Sequence, residues 1–510
     1  MSSASAWSAV LIGMQPTLVE VEAAIGNGLP KTVLVGLPDT ALYQSRDRCT
    51  AAVASSGWQW PSALVTINLS PAGLPKAGTH FDLAIATAVL AAAGTVPAAS
   101  AARTMMMGEL GLDGRVRPVR GVLPALLAAQ EAGFDRAIVP ASQVGEAGLV
   151  TGMTVWGVRN LADLAEVLAG RPVLLAPDDM ASDVVGEPAP ALDLADVVGQ
   201  QEAKFALEVA AAGRHHLFFH GPPGAGKTML AERLTSLLPD LASRESLEVS
   251  ALYSLAGRNL NDGLVSRPPF CSPHHKTSPA AIVGGGSRVP RPGQVSLAHR
   301  GVLFLDEAPE FPPSVLESLR TPLESGMVAI GRAAYEARYP ARFQLVMAAN
   351  PCPCGNHGTA GLMCRCSPMQ VRRYRERISG PILDRIDLTH RLAPTRTSYL
   401  EIAGARGESS EVVRERVALA RERQAHRLRG TSWMTNGEVP GHYLRDQLPL
   451  PDGVELLDEA LVRGRVSSRG VDRVMRIAWT LCDLAGRDRP SRADVRGALE
   501  LRRGETRAAA

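Results

Sequence analysis

The sequence predicts a multidomain α/β protein: a mixed unit over residues 1–172, a linker over 173–193, a parallel-sheet core over 194–395 and a helical unit over 396–510. Three observations predict it. Short apolar runs alternate with helix-length segments through the first part of the chain, whereas helical periodicity dense in Arg and Glu takes over beyond Ser409, as across residues 412–421. A polar, proline-containing stretch across residues 176–191 reads as a connector. Between them, three apolar runs (Leu217-Phe218-Phe219, Val302-Leu303-Phe304-Leu305 and residues 343–349) lead into glycine, acid and amide residues respectively. Buried parallel strands deliver chemistry at their carboxyl edges in this way.

In order along the chain, the first unit carries strand-like runs at residues 32–36 and 64–68 and an alanine-rich helical run at 83–93. The 510-residue chain is 45% hydrophobic and 21% charged, which is ordinary for a globular protein. A formal net charge of +3 gives no global cationic field that would advertise nucleic acid or membrane. No apolar stretch reaches the roughly 18–20 residues of a membrane helix, and the first residues lack a basic segment followed by an apolar one. Seven cysteines occur, four of them between 352 and 366, a clustering that suits a metal or free thiols better than a disulfide framework. The expected compartment is the cytoplasm. Lysine is confined to positions 31, 76, 204, 227 and 276 in an arginine-rich chain, so Lys227 stands where chemistry demands that residue.

The middle unit holds the most specific motif. Gly221-Pro222-Pro223-Gly224-Ala225-Gly226-Lys227-Thr228 fits G-x-x-x-x-G-K-[ST] at every position and lies between an apolar strand and a helical segment at 229–238. Glycines let backbone N–H groups close around a β-phosphate, Lys227 neutralises β- and γ-phosphate oxygens, and the Thr228 hydroxyl is a ligand for Mg²⁺. The next apolar strand ends in Asp306-Glu307. Asp306 is placed to hold Mg²⁺ and Glu307 to polarise an attacking water. The third ends in Asn350, a polar amide before Pro351 that reads either as a turn start or, by a likeness to the AAA+ ATPases, as a sensor contacting the γ-phosphate or that water.

This order of phosphate loop, acidic strand and Asn-ended strand resembles the AAA+ ATPases, in particular their magnesium-chelatase-like branch. The resemblance implies a P-loop ATPase core with a C-terminal helical lid, and ATP with Mg²⁺ as cofactors. Residues 378–388, with Asp384-Arg385-Ile386-Asp387, look like that family's arginine-finger region, so Arg385 is expected to reach the γ-phosphate held by a neighbouring subunit. Residues 466–473 resemble the second sensor of the lid, with Arg469 the expected sensor and Arg473 its rival. Val197-Val198-Gly199-Gln200 looks like the stretch that lines the adenine pocket. A site completed by a neighbour implies a homo-oligomeric ring, expected to be a hexamer.

Longer matches narrow the resemblance. Residues 267–275 (with His274-His275), 282–288 and 292–307 look like the YifB/ComM family, as do Asn350-Pro351-Cys352-Pro353-Cys354 and Cys364-Arg365-Cys366. The first unit, through residues 75–82 and 108–121, resembles the ribosomal-S5-like α+β fold shared with the Lon protease. His80 stands where that protease has its serine, and Leu123 where it has its lysine, so the dyad has no nucleophile and no amine. Cys352, Cys354, Cys364 and Cys366 offer four thiolates to a structural Zn²⁺, the alternative being four packed reduced thiols, with His357 a weaker substitute ligand. His274-His275 suit hydrogen bonding in an ordered loop.

The family resemblance implies a motor on branched or single-stranded DNA. Arg288 and Arg291 in one insertion, and Arg332, Arg338 and Arg342 on an expected hairpin, could track phosphates or be ordinary solvated charges. The rival reading is a chelatase-like or chaperone-like ring acting on a protein partner. A scaffold that binds ATP without turnover fits poorly with the presence of both Glu307 and Arg385.

Overall fold

The computed structural model describes residues 2–36, 40–74, 76, 78–171, 173–176, 179, 192–286, 289–332, 335–358, 363–393 and 407–504. Most of the expected linker, and Arg288, lie outside the described residues.

The first unit is built on a seven-stranded mixed sheet. Where the sequence led to an expectation of short strands, it opens with a long antiparallel hairpin, β1 (Ser2–Ile12) and β2 (Gln15–Gly26), paired without a break from Ser2↔Ile25 to Ile12↔Gln15. The Ala- and Ser-rich composition of β1 carries little intrinsic strand preference, so it is pairing and burial that fix it. With β3 (Lys31–Val35), β4 (Leu64–Ser70), β5 (Met105–Met106), β6 (Arg136–Pro140) and β7 (Thr154–Val158), the spatial order is β3-β4-β2-β1-β5-β6-β7. Helix α1 (Asp82–Ala92) is buried along its whole length behind this sheet. His80 is half-buried, its ring centroid 4.3 Å from that of Phe81, and it bonds the Ala9 carbonyl through Nε2 at 2.8 Å. Burial pushes its imidazole down to about 4, so it stays neutral. Leu123, in α2 (Val122–Glu131), is buried.

The core is a five-stranded, wholly parallel sheet: β8 (Leu217–His220), β9 (Phe270–Cys271), β10 (Val302–Leu305), β13 (Gln344–Ala349) and β14 (Leu388–Arg391), in the order β9-β10-β13-β8-β14. A separate hairpin, β11 (Met327–Gly331) with β12 (Glu336–Pro340), precedes β13. Successive strand side chains point to opposite faces, and both faces are covered. Val302, Phe304, Val346 and Ala348 enter one apolar cluster, while Leu303, Leu305, Leu345 and Met347 enter another. That double burial is why these strands read as unbroken apolar runs.

Helix α3 (Gln201–Gly213) packs against the C-terminal helices α6 (Ser410–Arg427) and α7 (Ser468–Leu484), and α8 (Arg492–Arg503) packs on α7. Val413, Val417, Ile477 and Trp479 share a cluster with Leu217 and Phe219, so the helical unit and the core bury one common apolar interior. Asp193, at the end of the expected linker, accepts from Ser410 N at 2.9 Å and from Ala195 N at 2.7 Å, clasping the start of the core to the start of α6. The first unit docks onto the core through α5 (Ser243–Ala256), the phosphate-loop helix α4 being Lys227–Arg233. Gly121 N donates to the Ser254 carbonyl at 3.1 Å, Asn261 Nδ2 to the Ser142 carbonyl at 2.9 Å, and the Ser254 hydroxyl to the buried Glu146 carboxylate.

Candidate nucleotide site

The phosphate loop leaves β8 and enters α4 at the carboxyl edge of the sheet. Gly224 and Gly226 have φ of +74° and +84°, a region that costs other residues strain, so glycine is required there. Gly221 is fixed by proximity: a Cβ on it would lie 2.5 Å from the Leu392 carbonyl oxygen beyond β14. Gln200, ahead of α3, donates from Nε2 to the Ala393 carbonyl at 3.0 Å and also to Ala225, which sets the expected adenine-lining stretch against the loop.

Lys227 is buried, and its ammonium donates to the Gly221 carbonyl at 2.8 Å, the Pro222 carbonyl at 2.9 Å and Asn350 Oδ1 at 2.9 Å. Its three donors are therefore used, and a phosphate must displace at least one of these oxygens. Burial lowers its pKa, against the opposing pull of Asp306 and Glu307. Thr228 Oγ1 donates to Asp306 Oδ2 at 2.7 Å. A hydroxyl and a carboxylate touching at the foot of an anion cradle form the oxygen donor set that Mg²⁺ takes, so ATP with Mg²⁺ fits these residues. Bound there, it supplies the phosphoryl group and the cation that spreads its charge.

Glu307 departs from ordinary backbone, with φ +50° and ψ +43°. A non-glycine residue held there signals strain of the kind found at functional sites. The turn leaves its carboxylate half exposed and 3.7 Å from His275 Nδ1. The His275 ring in turn lies against that of His274, tilted by 33° with ring centroids 4.1 Å apart. This contact was not legible in the sequence, because it depends on β9, which leads to His275, lying beside β10, which leads to Glu307.

Arg385 and Arg469 are not brought to this site. They line a concavity of about 510 Å³ with Arg214, Arg342, Arg473 and Arg476. His216, Phe343 and Asp387, which also line it, immediately precede β8, β13 and β14, so the concavity opens at the amino edge of the sheet. Strands of four to six residues put about 13–20 Å between the two edges. Arg385 is 8% exposed; its guanidinium contacts Glu324 and donates to the Pro381 carbonyl at 2.6 Å, while its Nε has no partner. Burial lowers its pKa, and Arg320, Arg469 and Arg473 push the same way against the opposing pull of Glu317. Arg469 is exposed and makes no hydrogen bond or ion pair among the described residues. Arg473, its rival, is committed to Asp387 Oδ1 at 2.6 Å. Burial alone would raise the Asp387 carboxyl, but Arg473 and His215 outweigh it and hold it well below the usual carboxylate range.

One expectation for the arginines is corrected. Arg342 is not on the hairpin; it follows β12 and belongs to the cationic concavity. Arg338 is on β12, but it pairs with Glu336 at 2.5 Å and its carbonyl accepts from Met14 N at 3.2 Å, so the hairpin's backbone is docked on the turn after β1. Arg332 donates to the Gly331 carbonyl at 2.9 Å and also contacts the Gly286 carbonyl of the neighbouring insertion. Arg291 pairs through the backbone with Gly285.

The four clustered cysteines converge. Sulfur–sulfur distances are 3.4 Å for Cys352–Cys354, 3.7 Å for Cys352–Cys364 and 3.6 Å for Cys354–Cys364, and all four sulfurs, including that of Cys366, lie within 4.8 Å of one another. Backbone N–H groups of Asn356 and Arg365 draw the Cys354 thiol down to about 6. His357 contributes its backbone N–H to Cys352 Sγ at 3.4 Å.

A parallel sheet carrying a phosphate loop, a hydroxyl–carboxylate pair and an amide-ended strand defines a P-loop ATPase of the AAA+ type. Three protein-family models match the chain: "Magnesium chelatase, subunit ChlI" over residues 193–400, "Subunit ChlI of Mg-chelatase" over 21–143 and "Magnesium chelatase, subunit ChlI C-terminal" over 407–502. An uncharacterized protein of Mycobacterium tuberculosis is 51% identical over 504 residues, 98% of this chain and 99% of that one. The competence protein ComM of Haemophilus influenzae is 41% identical over 494 residues, 95% of this chain and 94% of that one. A shorter stretch of 172 residues, 33% of this chain and 35% of the other, is 33% identical to the DNA repair protein RadA of Salmonella typhimurium. The chain belongs to the YifB/ComM family of magnesium-chelatase-like ATPases.

Proposed function

We propose that this ATPase works as a head-to-tail ring, a hexamer, in which ATP at the carboxyl edge of one subunit's sheet is completed by Arg385 and Arg469 of the next. The observation that carries this reading is the placement of both arginines at the opposite edge of the sheet from Lys227. One subunit cannot bring them to its own phosphates without dismantling the strands between. Head-to-tail contacts that close on themselves generate rings, and such a contact sets one edge against the other. Glu307 orients the water, Lys227 and Asn350 face the γ-phosphate, Thr228 and Asp306 hold Mg²⁺, and the neighbour's guanidinium groups take up charge as the bond to the leaving group breaks.

The work done is movement along DNA, branched or single-stranded, in the cytoplasm. The likeness to proteins named for competence and for DNA repair supports this use. Arg291 and Arg332, on adjoining insertions, are the described candidates to follow phosphates. No helix among the described residues is long and apolar enough to cross a membrane. The second reading, a ring that remodels a protein partner, is favoured by the chelatase-subunit matches across all three units. Hydrolysis and strand displacement measured on forked and four-way DNA separate the two. The motor gives DNA-stimulated hydrolysis and unwinding that vanish in Lys227→Ala and Glu307→Gln, whereas hydrolysis indifferent to every DNA structure contradicts it.

A further inference from the structure

The geometry points to a metal clasp on the phosphate loop: Cys352, Cys354, Cys364 and Cys366 hold one Zn²⁺, and the loop this ion folds keeps the nucleotide cradle open for ATP. The inference rests on the ATPase reading above, and three observations carry it. First, the sulfur spacings of 3.4–3.7 Å approach the separation of about 3.8 Å that bonds of ~2.3 Å impose in a tetrahedral zinc–thiolate site. Secondly, the described part of the segment offers no apolar interior to fold around. Between Ala349 and the helix Pro368–Glu376 no described residue is in a helix or strand, and only Cys352 and Gly355 among them are buried, while Met363 is 85% exposed. A stretch with no apolar interior needs a cross-link to hold one shape, and a structural metal supplies it.

Thirdly, that shape is pressed against the phosphate loop. Gly355 has φ +82°, and a Cβ on it would stand 2.4 Å from Pro223 Cγ, so the cysteine loop and the phosphate loop meet with no room for a methyl group. Asn350, two residues before Cys352, is the side chain that accepts from Lys227. His357 and Gly358 wall a cavity of about 1040 Å³ whose other side includes Gly221, Pro222 and Asn350. One ion thus fixes Pro223 from outside the loop and Asn350 from along the chain. Losing it frees both, and nucleotide must then order them as it binds, which lowers affinity.

The test measures zinc by mass spectrometry and binding of a fluorescent ATP analogue on the same full-length, reduced preparations. Wild type carries one zinc per chain. Stripping it with a chelator weakens nucleotide binding about tenfold or more, a loss of preorganisation that re-added zinc reverses. Cys352→Ser/Cys364→Ser lacks zinc and binds nucleotide as the stripped protein does. Gly355→Ala keeps zinc yet loses affinity, because the contact is broken while the ion stays. Lys227→Ala keeps zinc and loses nucleotide. Wild type free of zinc, with its thiols reduced or joined as disulfides, overturns the inference, and so does stripped protein with unchanged affinity. A zinc-loaded wild type that binds no nucleotide overturns the ATPase reading and the clasp with it, and leaves the metal site alone standing.

Discussion

The two edges of the core sheet are built from the same five strands and carry opposite chemistry. At the carboxyl edge, Lys227 is surrounded by oxygens, Asp306 holds the Thr228 hydroxyl and the Glu307 carboxylate is half exposed. At the amino edge, six arginines share one concavity with five acids, Glu324, Asp384, Asp387, Glu438 and Asp472. The first edge has the donors a triphosphate needs, and the strands hold the second edge away from it. That separation is the basis for proposing that the catalytic unit is an interface between subunits, with the sheet keeping its halves apart.

The largest expected effects fall on the carboxyl edge. Lys227→Ala removes nucleotide binding. Glu307→Gln leaves binding intact and lowers kcat by about 10²–10⁴, the range for losing a positioned base, as equilibrium binding and steady-state hydrolysis will show. At the amino edge, Arg385→Ala lowers kcat by about 10³ or more while nucleotide affinity stays within a few-fold of wild type. A variant that instead loses affinity in proportion would place Arg385 in its own subunit's pocket and collapse the contrast. Arg469→Ala acts the same way to a smaller extent, because its guanidinium is exposed and unanchored.

Arg473 should part company from both. Its ion pair with the buried Asp387 is structural, so Arg473→Met destabilises the fold by about 3–5 kcal/mol by leaving a carboxylate uncompensated, seen as a lowered unfolding midpoint in denaturant. The sign with pH follows from a depressed carboxyl. The stabilisation is complete above the unfolded value of about 4 and is lost as pH falls towards the low folded value, so the gap between wild type and variant narrows only in acid. Loss of hydrolysis in Arg473→Met without loss of stability would make it a catalytic arginine instead.

How much of this was legible in the sequence follows from range. The phosphate loop, Asp306-Glu307 and Asn350 are each contiguous with the strand that positions them, so local sequence singled them out, with the family likeness supplying the role expected of Asn350. Arg385 and Arg469 were chosen by resemblance, but that they share one concavity at the far edge depends on strand order and on α7 packing across it, which no local pattern encodes. His275 beside Glu307 is likewise a product of β9 lying next to β10. The long opening hairpin was missed because Ala and Ser are weak strand formers and its partner strand decides the matter. Arg342 and Arg338 were grouped by sequence proximity, and a change of strand between them sends their side chains to different places. The cysteine spacing hinted at zinc, yet contact of that loop with Pro223 is visible only in three dimensions.

The central claim, that one active site takes halves from two subunits, is tested most directly by mixing two inactive chains. Lys227→Ala contributes an intact amino edge and Arg385→Ala an intact carboxyl edge. Co-assembled in equal amounts, about a quarter of head-to-tail contacts join the two intact halves. The account predicts ATP hydrolysis well above that of either variant alone, peaking near equal proportions. Activity no greater than the sum of the separate variants, in mixtures shown to have exchanged subunits, would contradict it.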